Sequence, residues 1–312
     1  MPRTILNLFE GKDNMNDQLI KGHFKGLDIA FTYATTTQLT NEIIIRHDCD
    51  PVAAHLLGRA LTGGLLAAAI QPEGNRTNFC WKYHGALKTI IVDAGTDGTV
   101  RGLISPAHLN DTPDAHDALY GESGELNVVI TKDGKIESSS TTPVALHDVV
   151  NDLAYHYCIS DQVETSMSVL IGFAPDPKKP IKMARGWMLQ ALPNTDLKRL
   201  DRLRERLQSE TIQTQLKQPN IDFNTLANAL IADEKEATGI YFDECPTPKF
   251  NCTCSQEKMF SVIRSLPIPD RMELVKAKAP VRIRCQFCNQ PYTLNIEDCI
   301  VAWNQKPNET YE

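Results

Sequence analysis

Phe250-Asn251-Cys252-Thr253-Cys254-Ser255 is followed, with thirty residues between Cys254 and Cys285, by Cys285-Gln286-Phe287-Cys288-Asn289-Gln290-Pro291. One C-x-C and one C-x-x-C turn each deliver two thiolates from a tight knuckle, and zinc takes four such ligands in a tetrahedron. Asn289, Gln290 and Pro291 supply turn residues where the second knuckle needs them. Cys252, Cys254, Cys285 and Cys288 are therefore the expected ligands of one zinc ion per chain. The competing reading is two unrelated pairs of buried thiols. The less common C-x-C spacing makes the combination more specific than an ordinary zinc-ribbon pattern.

Zinc with four thiolates has a formal charge of −2. Lys258, Arg282 and Arg284 lie beside the ligands in sequence and are candidates to offset it. Cations also favour the thiolate, the form that oxidants attack. Ordinary solvated charge is the alternative for all three.

The segment 251–312 is too short to bury a robust core by itself. A structural zinc site adds about 10–16 kcal/mol of apparent binding free energy to a small metallo-domain. Loss of the metal is expected to unfold this segment. Oxidation of its thiols then becomes a conformational signal, because sulfur locked in a disulfide no longer binds as thiolate.

Immediately upstream, residues 194–250 are strongly charged. Leu197, Leu200, Leu203 and Leu207 form a thin apolar stripe over 196–210, which predicts a helix able to bury little surface. Residues 223–236 read as a second short helix of that kind. A solvated surface helix and a marginally docked, detachable linker both fit.

Residues 1–193 read as an α+β core domain, with 1–16 expected to be poorly ordered. Val52, Leu56, Leu57, Ala60, Leu61 and Leu65 recur at helical spacing, as do Leu146, Val149, Val150, Leu153, Ala154 and Tyr157. Leu126, Val128 and Ile130 alternate ahead of the Asp133-Gly134 turn. Asp97-Gly98 separates two further apolar runs, 87–92 and 100–104, and Met167, Val169, Ile171 and Phe173 alternate again. A turn over 174–180 precedes one more apolar strand, 186–192. Hairpins interspersed with helices predict largely antiparallel sheets packed with helices. The expected organisation is thus a core domain (1–193), a charged helical linker (194–250) and a small four-cysteine zinc domain (251–312).

The 312 residues are 42% hydrophobic and 23% charged, with a net charge of −7, so no general basic face is available for nucleic acid. The N-terminus has no secretory h-region. The most apolar window, 51–70, is interrupted by His55, Arg59 and Thr62 and is too polar for a membrane span. Nine cysteines in a chain this long point to a reducing compartment, and the chain reads as soluble and cytoplasmic. The eight histidines form no HExxH or HxE motif of a zinc hydrolase or deaminase, and no GxxxxGK[ST] loop marks an ATP site. A non-enzymatic role is expected. A zinc-ribbon nucleic-acid or interaction protein and a thiol-disulfide oxidoreductase are the rivals. Against the second, the CxxC pair shares its short segment with another cysteine pair.

The cysteine motif with Tyr292, the helix over 51–69, the strand region around Gly85 and Gly102, residues 148–157 and Gly186-Trp187-Met188-Leu189-Gln190-Ala191-Leu192-Pro193 together resemble the HslO family, the 33 kDa chaperonins. The resemblance spans roughly residues 17–305. It implies a redox-regulated, ATP-independent holdase, inactive when reduced and zinc-bound. It implies disulfides Cys252–Cys254 and Cys285–Cys288 on oxidation, with loss of zinc and unfolding of switch and linker. It further implies capture of unfolding client proteins, dimerisation on oxidation, and later transfer of clients to ATP-driven chaperones. Two stretches depart from the family's usual pattern: the polar run 136–143, and Ala184-Arg185-Gly186 in place of Gly-Gly. Cys245 and Cys299 flank the motif and are not family ligands; inert thiols and alternative disulfide partners are the two readings. Cys49, Cys80 and Cys158 read as core thiols.

Overall fold

The computed structural model describes residues 16–113 and 115–304, and the expectation for the first residues lies outside all but Asn16 of that range. Two compact units divide between Phe250 and Asn251.

The first unit is an α+β structure. In chain order it contains β1 (Gln18–Lys25), β2 (Ile29–Thr35), α1 (Thr37–Arg46), α2 (Pro51–Ala68), β3 (Asn75–Tyr83), β4 (Thr89–Gly95) and β5 (Thr99–Ser105). Then come α3 (His116–Tyr120), β6 (Gly124–Lys132), β7 (Lys135–Pro143) and α4 (Val149–His156), which runs into a π-helical turn at Tyr157–Asp161. The unit ends with β8 (Thr165–Phe173), β9 (Ile181–Ala191), α5 (Leu197–Gln208), α6 (Glu210–Leu216), α7 (Phe223–Ile231), β10 (Gly239–Glu244) and β11 (Lys249–Phe250).

Five strands form one antiparallel sheet in the order β10-β1-β2-β9-β8. The other six form a sheet in the order β11-β5-β4-β3-β6-β7, antiparallel except where β11 lies parallel to β5. α2 packs on strands of both sheets. Pro51 follows the Asp50 cap, whose carboxylate accepts the Ala53 N–H, so the helix starts where sequence places it. Its small residues permit the close approach. A Cβ on Gly64 would lie 2.8 Å from Val92 Cγ1.

The polar run 136–143 lies in β7, the strand that follows the Asp133-Gly134 turn. β7 is the edge of the six-stranded sheet, and only Thr142 and partly buried Ser140 turn inward, both toward His156. An edge strand exposed on one face tolerates Ser and Thr in place of apolar side chains, and its polarity discourages pairing with other chains.

The charged segment buries more than its thin stripe implies. Leu200, Leu203 and Leu207 of α5, Ile212 and Leu216 of α6, and Phe223, Leu226 and Leu230 of α7 are all buried. They cover one face of the five-stranded sheet, where odd-numbered Ile29, Phe31 and Tyr33 of β2 meet Trp187 and Leu189 of β9 in a common core. The opposite face of that sheet packs on α1 and α2. Phe223 is the anchor. Its ring centroid lies 5.6 Å from Phe31, 5.5 Å from Tyr33, 5.6 Å from Trp187 and 4.8 Å from Phe242.

Arg185 ties down the same segment. Its guanidinium donates to the carbonyls of Leu216 (3.0 Å), Gln218 (2.7 Å) and Pro219 (2.6 Å), closing the end of α6. Glu234 adds a clamp from beyond α7, accepting from Arg202 Nε and Nη2 at 2.8 Å each. Replacing Arg185 with methionine leaves these carbonyls without their donor, at a cost of roughly 1–3 kcal/mol. Faster amide exchange across residues 210–231, with β3–β6 unchanged, is the expected measurement.

Candidate metal centre

The second unit contains α8 (Gln256–Arg264), α9 (Ile268–Ala277), β12 (Val281–Arg284), β13 (Pro291–Leu294) and α10 (Ile296–Asn304). β12 and β13 form a hairpin in register Arg284↔Pro291, so residues 285–290 are its loop. The Cys285 N–H donates to Gln290 O (3.0 Å), and Asn289 N–H donates back to Cys285 O (2.9 Å). Asn289 has φ +58, a left-handed conformation that asparagine tolerates better than most residues. This loop is the second knuckle. The first is the short segment before α8, where Ser255 caps the helix by accepting from Lys258 N–H (3.3 Å).

The two knuckles bring Cys252, Cys254, Cys285 and Cys288 together, with all four Sγ atoms within 4.8 Å of one another. Across the knuckles, Cys252 Sγ lies 3.7 Å from Cys285 Sγ, and Cys254 Sγ lies 3.4 Å from Cys288 Sγ. A tetrahedron with Zn–S bonds of about 2.3 Å has an S–S edge of about 3.8 Å. The cluster therefore fits one zinc-sized ion with soft, thiolate-preferring chemistry.

Tyr292 is a residue whose role the sequence alone does not assign. From β13 its hydroxyl donates to Cys254 Sγ at 3.0 Å. Burial pushes the Cys254 thiol up, but hydrogen bonds from Tyr292 and the neighbouring thiols outweigh it and bring the group down to about 7. Burial raises Cys252, and raises Cys288 to about 12, with the neighbouring sulfurs adding to the shift. The bond to Cys254 raises Tyr292 itself to about 12.

Lys258 holds the first knuckle, donating from Nζ to Thr253 O (2.6 Å) and Thr253 Oγ1 (2.8 Å). Arg282 and Arg284 are exposed on β12. The other cysteines stand apart from the cluster. Cys299 is fully buried in the small unit's core, and half-buried Cys245 packs against the core of the first unit. Cys49 packs against that core too, burial pushing its thiol up to about 12, while Cys80 is half-buried on β3 and Cys158 in the π-helical turn.

The fold is one already seen in a heat-shock protein. The HSP33 homologue of Thermotoga maritima, a 33 kDa chaperonin, shares the fold with a TM-score of 0.76 at 20% identity, over 92% of this chain and 97% of that one. The family model described as Hsp33 protein matches residues 17–295, and the chain belongs to that family. Proteins named 33 kDa chaperonin are similar along most of their length. One from Clostridium perfringens strain SM101 is 30% identical over 91% of this chain and 90% of its own. One from Clostridium botulinum strain 657 is 27% identical over 91% and 96%. Among the described residues, no helix is long and apolar enough to cross a membrane.

Proposed function

We propose that this protein is a redox-regulated, ATP-independent holdase chaperone of the cytoplasm. Cys252, Cys254, Cys285 and Cys288 hold one Zn2+ in the reduced, inactive state, and the ion supplies the cross-link that keeps residues 251–312 folded. The convergence of four thiols, in a chain of the Hsp33 family, is the observation that carries the reading.

On oxidation, Cys285 pairs with Cys288 and Cys252 with Cys254. For each pair, one peroxide takes up two electrons and two protons and leaves as two waters. Sulfurs bonded to each other no longer serve as thiolate ligands, and the unit loses its cross-link. Residues 194–250 act as the linker that follows. When α5–α7 lift, Phe31, Tyr33, Trp187 and Leu189 are uncovered, a face suited to the exposed apolar side chains of unfolding proteins. Oxidised chains pair as homodimers, and reduction returns clients to ATP-driven chaperones.

The test follows aggregation of a heat-denatured enzyme alongside zinc content and free-thiol count, before and after peroxide, without ATP. Reduced protein should carry one zinc and protect poorly; oxidised protein should carry two disulfides, no zinc, and protect well. Equal protection in the two states removes the switch from this account, and zinc retained through both disulfides removes its trigger.

A further inference from the structure

We propose that the edge of β1, once β10 leaves it, pairs with an extended, alternately apolar segment of the client as an added sheet strand. The inference rests on the holdase reading and adds to it a specific docking mode. β10 is the outermost strand of the five-stranded sheet and pairs with β1 from Ile20↔Glu244 to Lys25↔Gly239. It is also the last strand of that sheet before the switch, since Glu244 precedes Cys252 by eight positions. Removing it leaves the outward N–H and C=O groups of β1 unpaired, which is a template for a new strand.

The slot is shaped for a backbone. A Cβ at Gly22 would lie 2.0 Å from Tyr241 O, and one at Gly26 (φ +83) would lie 2.1 Å from Glu236 O. Gly22 thus admits the main chain paired with β1 where a side chain would hold it off, and Gly26 does the same for the turn that leads into β10. β10 itself shows which sequences suit the slot. Ile240 and Phe242 turn into the aromatic core, while Tyr241 between them stays half-exposed against His23, ring centroids 5.2 Å apart. Main-chain bonds would supply affinity and alternate apolar side chains a loose preference, the combination needed to hold many unfolded sequences.

The experiment uses the full chain, reduced and peroxide-oxidised, with a denatured client and a peptide of residues 238–244. A second peptide has the same side chains with alternate amides N-methylated, so it cannot pair along an edge. Oxidised protein should gain amide-exchange protection at residues 18–25 on adding client. The plain peptide should displace client, with a roughly tenfold loss of holding, and the methylated one should not. Gly22→Val should detach 239–244 in the reduced protein and yet hold client roughly tenfold less well when oxidised, with metal release and disulfide formation intact. If that variant fails to fold, the two peptides on the parent chain still decide.

Client holding without protection at 18–25, or displacement by both peptides equally, overturns the edge proposal and leaves the holdase reading standing. Protection at 18–25 that rises with protein concentration in the absence of client assigns the slot to the strand of a second copy and overturns it as well. A protein that keeps its metal and holds no client after peroxide overturns the holdase reading, and this proposal with it.

Discussion

Chelation of the metal from the fully reduced protein, or Cys285→Ser, is expected to melt residues 251–304 while strands β1–β9 of the first unit stay folded. The small unit's apolar cluster contains seven buried residues, and two of them, Cys285 and Cys299, are cysteines. α9 buries none of its residues, and Ile268, Met272 and Val275 along it are exposed. Such a core cannot offset the chain entropy of ordering some fifty residues at about 1–2 kcal/mol each. The polar ties between its helices, Trp303 Nε1 to Ile263 O (2.9 Å) and Arg271 Nη2 to Arg264 O (2.7 Å), add only about 1 kcal/mol apiece. A four-thiolate zinc site of the proposed kind would add about 10–16 kcal/mol and so dominate. Cys285 is the ligand to change because it is buried and sits on the hairpin knuckle, so serine weakens the site and leaves a polar hydroxyl in the core. Amide exchange across 251–304, measured with zinc content, checks the prediction. A metal-free reduced protein with a cooperative melt of these residues contradicts it.

The four-cysteine cluster is legible in the sequence because paired cysteines announce themselves by spacing. Two knuckles with turn residues between and after them need no tertiary information to be paired. Tyr292 is visible as part of the motif, but its role depends on the β12–β13 register, which places its hydroxyl on Cys254. In the first unit, α2 and the strands β4, β5, β6 and β8 follow from the spacing of their apolar residues in the sequence. β9 begins at Ile181, five residues before the apolar run that marks it, because Lys182 and Arg185 interrupt the alternation. Arg185 is buried against main-chain carbonyls, a partner that sequence does not display. α5 reads as a helix, but its burial does not show in its sequence. A narrow leucine stripe buries little on its own, and what receives it is an aromatic face assembled from β2 and β9, more than 150 residues apart in the case of Phe31 and Trp187. β10 escapes a sequence reading for the same reason: Ile240 and Phe242 gain their meaning only beside β1.

Phe223→Ala is expected to make the reduced, metal-loaded protein hold clients without any oxidant. Phe223 is 6% exposed and is the ring through which α7 touches Phe31, Tyr33, Trp187 and Phe242 at once. Truncating a buried phenylalanine costs about 3–5 kcal/mol. Here that cost falls on the docking of α5–α7 rather than on the packing of α2 between the sheets. At 1.4 kcal/mol per tenfold, the undocked population rises by roughly two to three orders of magnitude. The change should uncover the sheet face while all four ligand cysteines remain reduced, separating linker release from thiol chemistry. Phe223→Leu, which keeps most of the buried volume, should behave much more like the parent. Light scattering of a denaturing client, with thiol count and zinc content taken on the same sample, reads the result. Should Phe223→Ala loosen amide exchange over 197–231 and still leave aggregation unchecked, uncovering this face is not enough to hold a client, and release of β10 from the β1 edge becomes the step that matters.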